Sequence, residues 1–580
     1  MTEYQLIEGK PRIFSISSNE ELLSEIKEYV EDYDYEHIGS ASDKDEIFKK
    51  LDELSANLIF LDADIEGIDL IQLTDDLELF NIPLIVIVGE LFNETIDNLL
   101  MNNPYGYLLQ PLDKEELQRE MAVAIKKHEQ NLLTVKEAES RINEKSLELL
   151  IEKSDSSLLL ILSISLIIIA VLSRNATWLQ WVILIPAAAM LFNSIFSMKK
   201  QAGVKPLETL PFVSIFIPAH NEEFTIEQTV RSVCGLDYHV DGAPQYELIV
   251  VNDGSTDSTG KILAGLKKDY PQLKIVTRHP PRSGKGKGFV LNDALTLSRG
   301  DIIGVFDADT QVKPDFLQII IPYLDEDIDG VQSRVKMFNK NENFLARMQH
   351  VEFTTFGNTL IAKDNLKFTG FLGGNGQFVK KQAIIECGKW DGFAVTEDLN
   401  LAIKIILNGG KIRYCGDCAI YQEAITSWRP FFRQRTRWAI GNFETLFVYL
   451  PQIIRSKLSL LKKFNVIEHI SFYSFNLLIF FGFVITLLNA ISWFFFQNVT
   501  LIRMEAPIIV GILSAIAFFP GIILSLLRDK LGPVEFIKDM VKYYIYCFHL
   551  IPLFFLTMYT MMTRKERKWD KTVHKGGKDS

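Results

Sequence analysis

The stretch Asp301–Thr310, DIIGVFDADT, decides how this 580-residue chain folds. An apolar run of strand length ends in two aspartates, Asp307 and Asp309, set two residues apart. Such a run reads as a buried strand whose carboxylates lie where the chain leaves a sheet. Two upstream stretches repeat the pattern. VSIFIPAHNEE (Val213–Glu223) turns polar at His220, Asn221 and Glu222, and YELIVVNDGSTDST (Tyr246–Thr259) ends at Asn252-Asp253-Gly254. Between them Thr225–Cys234 and Ser258–Lys268 read as helices. Alternating strands and helices predict an open α/β sheet with ligands at the carboxyl edge of its strands.

The chemistry open to these residues follows from their types. Asp307 and Asp309 can turn toward one point, and two carboxylates with room for water and phosphate oxygens suit Mg²⁺ or Mn²⁺. Asp-x-Asp is also ordinary loop sequence, and DGSTDST is rich in turn formers and helix caps. Further on, TEDLNLAIKII (Thr396–Ile406) reads as an amphipathic helix that Thr396 caps, with Glu397 and Asp398 in its first turn. QRTRW (Gln434–Trp438) sets Trp438 in a basic run with Arg429, Arg433, Arg435 and Arg437. That tryptophan reads either as a membrane-interface anchor or as a ring that stacks on a sugar.

Composition limits the class. Hydrophobic residues make up 48% and charged residues 23% of the chain, which excludes a disordered or collagen-like protein. Five cysteines exclude a disulfide scaffold and fit a reducing compartment. A net charge of −12 speaks against nucleic acid as partner. The charge is uneven, with 29 acidic and 10 basic side chains before residue 129, so an acidic head sits on a mildly basic body.

Apolar runs begin only at Leu158, so the sequence reads as having no leader peptide. Leu158–Leu172 and Trp178–Phe196 predict a transmembrane hairpin. Phe472–Phe495, Pro507–Leu527 and Met540–Met562 are three more candidate spans, and residues 444–466 read as interfacial. Lysines and arginines after the second run (Lys199, Lys200, Lys205) and between the last two (Arg528, Lys530, Lys538, Lys542) orient the head and the middle segment to the cytoplasm. The basic tail, with seven basic and three acidic side chains in 564–580, conflicts with five simple crossings. The expected domains are 1–128, a linker helix 129–156, a hairpin 157–197, a catalytic domain 205–445, interfacial and transmembrane helices 446–563, and the tail 564–580.

In the head, Arg12–Ile16, Asn57–Leu61 and Leu84–Val88 read as strands, and Glu20–Tyr33, Asp43–Ser55 and Lys114–His128 as helices. Asp62 ends a strand in NLIFLDAD, and PYGYLLQPLDKEEL (Pro104–Leu117) closes the segment. These features resemble the response-regulator receiver domain, a flavodoxin-like fold. The resemblance implies that Asp62 would accept a phosphoryl group. Three positions depart from the family: Ser17-Ser18-Asn19 replaces the acidic pair, Val88 the hydroxyl residue, and Gln110 the lysine before Pro111. An aspartyl acceptor needs a divalent ion and a cation. The head therefore reads as a pseudo-receiver that serves as a docking or dimer surface.

Asp253, Asp307-x-Asp309, Thr396-Glu397-Asp398 and Gln434–Trp438, in this order, resemble family 2 glycosyltransferases. The likeness spans Pro211–Asn442 and points to the membrane-embedded processive branch of cellulose, chitin, hyaluronan and poly-N-acetylglucosamine synthases. It implies a Rossmann-like domain of the GT-A type inserted between transmembrane helices. It implies that Asp253 contacts uracil, that Asn221 and Glu222 belong to the first nucleotide loop, and that His220 packs against the base. Lys287, in SGKGKGFVLN, would reach the diphosphate, Asp307 and Asp309 would hold the metal, and Asp398 would be the general base. Gln434, Arg437 and Trp438 would meet diphosphate, donor sugar and acceptor. Gly373–Gln377, with Gly374 and Asn375, would form the acceptor-side loop. Glu397 beside Asp398 would raise the base's pKa by like-charge repulsion.

The function expected is inverting, metal-dependent, processive transfer from a UDP-sugar to a growing polysaccharide with export through an integral membrane protein. The alternatives are a glycolipid-forming transferase and a signalling scaffold with an inactive transferase. In the tail, Trp569 and Thr572 resemble a gating element of such synthases. Cys415-x-x-Cys418 lacks a second pair for zinc.

Overall fold

A computed structural model of the chain describes residues 10–89, 177–278 and 512–527 with gaps, 105–143, 283–495 apart from 326, and 531–563. The first hydrophobic arm (Leu158–Leu172), most of Pro507–Leu527, and the tail with Trp569 and Thr572 lie outside the described residues. The chain divides into two compact units, the first of them Met1–Ile142 in the main.

The first unit holds strands β1 (Arg12–Ile16), β2 (Glu36–Ala41), β3 (Leu58–Asp62), β4 (Leu84–Val88) and β5 (Gly106–Leu109) in the order β2-β1-β3-β4-β5. All four pairings are parallel. Period-two alternation explains why helices cover both faces. Ile13, Leu58, Phe60, Ile85 and Ile87 pack with Leu22, Ile26 and Val30 of helix Glu20–Asp32 and with Leu117 and Met121 of helix Lys114–Asn143. Phe14, Ile16, Ile59, Leu61, Val86 and Val88 face the other way, onto Ile47, Phe48 and Leu51 of helix Lys44–Leu54. Asn19 starts the first helix by accepting hydrogen bonds from the backbone N–H groups of Glu21 and Leu22 at 3.0 and 3.2 Å. The expected helix Lys114–His128 and the first part of the expected linker helix 129–156 form one helix, Lys114–Asn143, because residues 129–143 contain no glycine or proline to interrupt it.

The second unit is built on a seven-stranded sheet. Its strands are β6 (Val213–Ala219), β9 (Tyr246–Asp253), β10 (Leu273–Arg278), β11 (Ile302–Val305), β12 (Gly330–Met337), β13 (Gln377–Lys380) and β14 (Ile412–Gln422). A two-stranded ribbon, β7 (His239–Val240) and β8 (Ala243–Pro244), stands apart. The order is β10-β9-β6-β11-β13-β12-β14. The β10-β9-β6-β11 half matches the Rossmann-like expectation, with β9 and β11 both parallel to β6. The other half is mixed, since β13 runs antiparallel to both β11 and β12. Gly304 makes the β11–β13 approach possible: a Cβ there would sit 2.5 Å from the Phe378 ring. Strand order reverses beside β6, and that crevice is where open α/β sheets bind ligands.

Helices complete this unit. Phe344–Asn365 carries Leu345, Met348 and Val351 into a cluster with Ile522, Leu526, Tyr543, Tyr546, Leu550 and Leu553. The apolar run Phe472–Phe495 forms one helix with the bounds read from sequence, and Trp178–Phe196 lies within helix Thr177–Phe196. The last apolar run begins earlier than expected, as helices Pro533–Cys547 and Leu550–Thr563. Pro533–Thr563 contains an 18-residue stretch with a mean hydropathy of 1.6, long and apolar enough to cross a membrane. Residues read as interfacial include exposed Ile454, Leu460, Leu461 and Phe464.

Candidate active site

A cavity of about 320 Å³ opens at the carboxyl ends of β6 and β11. Local structure explains how the charged side chains reach it. Lys287 begins helix Lys287–Leu297, and Asp307 follows β11 by two residues. Lys287 Nζ lies 2.6 Å from Asp307 Oδ1 and 3.6 Å from Glu397 Oε1. Glu397 and Asp398 open helix Glu397–Leu407, and Asp398 Oδ1 accepts from the backbone N–H of Leu399 at 2.8 Å.

The electrostatics separate these groups. Burial raises the Asp398 pKa, neighbouring Glu397 raises it further, and Lys287 only partly offsets them, so the carboxyl rests at about 7. Burial alone would push the Lys287 ammonium down. Asp307, Glu397 and Asp398 outweigh it and hold that ammonium above its ordinary range. The site thus keeps a fixed cation next to a carboxyl poised to gain or lose a proton near neutrality.

The loop Gly373–Gly376 closes the floor. Gly374 has φ +75°, and a Cβ there would lie 2.9 Å from Asp398 Oδ2 and 3.5 Å from Lys287 Nζ, so a side chain would fill the space between them. Asn375 Oδ1 accepts from the Asp307 backbone N–H at 3.1 Å and from Thr310 Oγ1 at 2.8 Å. Its amide donates to Gln422 Oε1 at 2.9 Å. Asn375 is therefore a brace for the Asp307 turn. Asp309 Oδ2 accepts from the Glu423 backbone N–H at 3.1 Å.

His220, Glu222, Lys287, Asp307, Asp309, Gly374, Asn375, Glu397, Asp398, Gln434, Arg437 and Trp438 all line the cavity. Asn221 and Asp253 are not among its lining residues. Asp253 is 1% exposed; its Oδ2 accepts from the Gly284 backbone N–H at 3.0 Å and its carbonyl bonds His220 Nδ1 at 2.7 Å. Asn221, at φ +55°, accepts from the Thr256 backbone N–H at 2.7 Å. Both tie the first loop to the second. Thr396 precedes the helix but makes no side-chain cap bond, because its side chain packs where Gly441 leaves room.

The sequence reading missed one whole wall. Glu352, Phe353, Phe356 and Leu360 come from helix Phe344–Asn365, with Phe371, Leu372, His469, Phe472 and Tyr473 beside them. His469 stacks on Phe371 at 3.5 Å between centroids, and burial holds its pKa well below the usual imidazole range. The available signal was Glu352 itself, a carboxylate in the middle of a weakly charged helix. Cys415 and Cys418 are buried free thiols 3.4 Å apart, away from the cavity lining. In the first unit, Asp62 is 3% exposed, accepts from Ser17 Oγ at 2.5 Å and from the Asp64 backbone N–H at 3.0 Å.

Comparison with known proteins identifies the family. The profile "Glycosyl transferase family 2" matches residues 214–388, "Glycosyl transferase family group 2" residues 302–527, and "Response regulator receiver domain" residues 13–122. A probable glycosyltransferase, YdaM of Bacillus subtilis (strain 168), is 31% identical over 392 residues, covering 64% of this chain and 90% of that protein. A beta-monoglucosyldiacylglycerol synthase of Trichormus variabilis is 34% identical over 274 residues, 47% of this chain and 58% of that one. The chain spans 55 to 61% of the length of three curated synthases of that name. The mannosyltransferase PcManGT from Pyrobaculum calidifontis, solved in complex with GDP-Man and Mn²⁺, aligns at 20% identity and a TM-score of 0.44 over 67% of this chain and all of that one. With a receiver domain ahead of a mixed α/β unit, the chain is a glycosyltransferase and belongs to glycosyl transferase family 2.

Proposed function

We propose that the chain transfers a sugar from a UDP-sugar to a hydroxyl of a lipid acceptor of the diacylglycerol type, with inversion at the anomeric carbon. One observation carries the reading: the mixed lining of the cavity. It joins a charged set, Lys287, Asp307, Asp309, Glu397 and Asp398, to an apolar set, Phe353, Phe356, Leu360, Phe371 and Phe472. A polar donor with a partly apolar acceptor suits both sets. The processive polymer reading taken from the motifs gives way to the glycolipid one. The monoglucosyldiacylglycerol synthases among the relatives support the latter.

In this reading Asp398 takes the proton of the acceptor hydroxyl as that oxygen bonds to the anomeric carbon. The bond to the diphosphate breaks on the opposite face, hence the inversion. Lys287 and Arg437 face the negative charge that develops on the leaving diphosphate. Trp438 offers a flat apolar face to the acceptor. Asp307 and Asp309 would hold Mg²⁺ or Mn²⁺. Two carboxylates bordering an open cavity fit such an ion, which fills its shell with water and phosphate oxygens. Among the described residues no group of three or more metal-ligating His, Cys, Asp or Glu side chains exists, so substrate oxygens would complete the shell. When bound, the ion neutralises diphosphate charge. Pro533–Thr563 would anchor the chain in the membrane that supplies the lipid.

The test is to incubate the full chain, in detergent, with radiolabelled UDP-glucose and dispersed diacylglycerol. An organic-soluble glycolipid is expected. A long water-insoluble polymer, or label released only as free sugar, would overturn the reading.

A further inference from the structure

The cavity's apolar wall hides a charge. Glu352 lies on helix Phe344–Asn365, and its Oε2 accepts from Arg435 Nη2 at 2.7 Å and from the Tyr546 hydroxyl at 2.7 Å. Arg435 is 3% exposed, and Tyr473 bonds to it as well. The guanidinium stacks over three rings: Trp438 at 4.5 Å, Phe431 at 5.0 Å and Phe353 at 5.5 Å. Phe353 meets Trp438 edge-on at 6.1 Å.

Such an arrangement costs desolvation energy, and replacement by apolar groups is often neutral or better for stability. A role in stability alone is therefore a weak explanation. The planar cation does something an apolar filler would not: its cation–π contact at 4.5 Å holds the Trp438 ring, which borders the cavity. Glu352 borders both the large cavity and a second one of about 40 Å³, which Tyr543, Tyr546, His549 and Leu550 also line. The chain of contacts thus runs from Tyr546, on the membrane-length segment Pro533–Thr563, through Glu352 and Arg435 to Trp438.

We propose that Arg435 is a positioning residue that sets the Trp438 ring for the acceptor, and that Glu352 and Tyr546 hold Arg435 in place. The proposal rests on the reading of this cavity as the transfer site. It explains why Arg435, the second residue of the QRTRW run, is buried at the cavity border while Gln434, Arg437 and Trp438 keep more of their surface.

Two measurements on the full chain in detergent test it. In the first, acrylamide quenching is measured for the parent and for Trp438→Phe, and the difference is the Trp438 signal. Arg435→Lys and Glu352→Gln should each raise quenching of that signal about two-fold or more, and Tyr546→Phe less. The second measures transfer to diacylglycerol. Arg435→Lys should raise the acceptor KM about five-fold and leave the donor KM within about two-fold. Added to Trp438→Phe, it should change nothing further, because both act through one ring. Tyr546→Phe keeps its ring and guards against a variant that simply fails to fold. Unchanged quenching, an additive double variant or a shifted donor KM overturns the positioning role. A parent that glycosylates no lipid, with quenching altered as expected, overturns the lipid reading and leaves the positioning role standing.

Discussion

Asp62 and Asp307 stand at comparable places in two α/β units, each where a parallel strand ends, yet their surroundings differ in every respect that matters for chemistry. Asp62 is 3% exposed, and a serine hydroxyl and a backbone N–H occupy its oxygens. Asp307 keeps 42% of its side chain exposed, pairs with Lys287 and borders an open cavity. Among the described residues Asp62 has no ion-pair partner. A strand-end carboxylate becomes useful for phosphate chemistry when a cation and an entry path accompany it. Ser17 supplies a hydroxyl where a receiver has an acidic residue to help bind a metal, and the result is a closed hydrogen bond.

The largest effect that would sharpen this contrast lies at Asp398. Asp398→Asn should lower transfer by about 10²–10⁴-fold, while calorimetry still detects donor binding. Full activity in that variant would remove Asp398 as the base. Next in size is Lys287→Met, which should reduce kcat/KM by about 10²–10³-fold. A donor assay that finds no loss would mean that the cation beside Asp307 is structural.

The third effect is a pH profile. As the proposed base, Asp398 would act only when ionised, and burial beside Glu397 raises its pKa to about 7. Transfer should therefore fall as pH drops through about 7 and level off above it. A rate that stays flat down to the ordinary carboxylate range would separate the base from this carboxyl.

The smallest effects belong to the first unit. Treatment with acetyl phosphate should leave Asp62 without a phosphoryl adduct by mass spectrometry, and Asp62→Asn should change transfer by less than about two-fold. A stable adduct would break the contrast between the two aspartates. Ser17→Ala removes one buried hydrogen bond and should lower the stability of that unit by about 1–3 kcal/mol in a urea titration.

Much of the fold was legible because periodicity is local. The alternation of Ile13, Phe14, Leu58 and Ile59 between two faces is written in neighbouring residues, and so is the helix after Asn19. The helices Ile226–Cys234 and Thr259–Lys267 fall where the run of turn formers and apolar residues put them. Among the site residues, Lys287, Asp307, Asp309 and Asp398 meet at one cavity, while Asp253 is turned inward to Gly284. The direction of Asp253 was not legible, because a loop aspartate is equally good as a ligand-facing group or as an acceptor for a backbone N–H.

Local pattern alone was enough for the two α/β units, the polar strand ends and the order of the motifs, because strand and helix periods repeat within a few residues. The antiparallel β13, the aromatic wall and the Glu352–Arg435–Tyr546 chain were settled by packing across the molecule. The bonds of Glu352 reach 83 and 194 residues along the sequence. A buried ion pair exists only when helices distant in sequence close on one another and exclude water, and no local period records that closure.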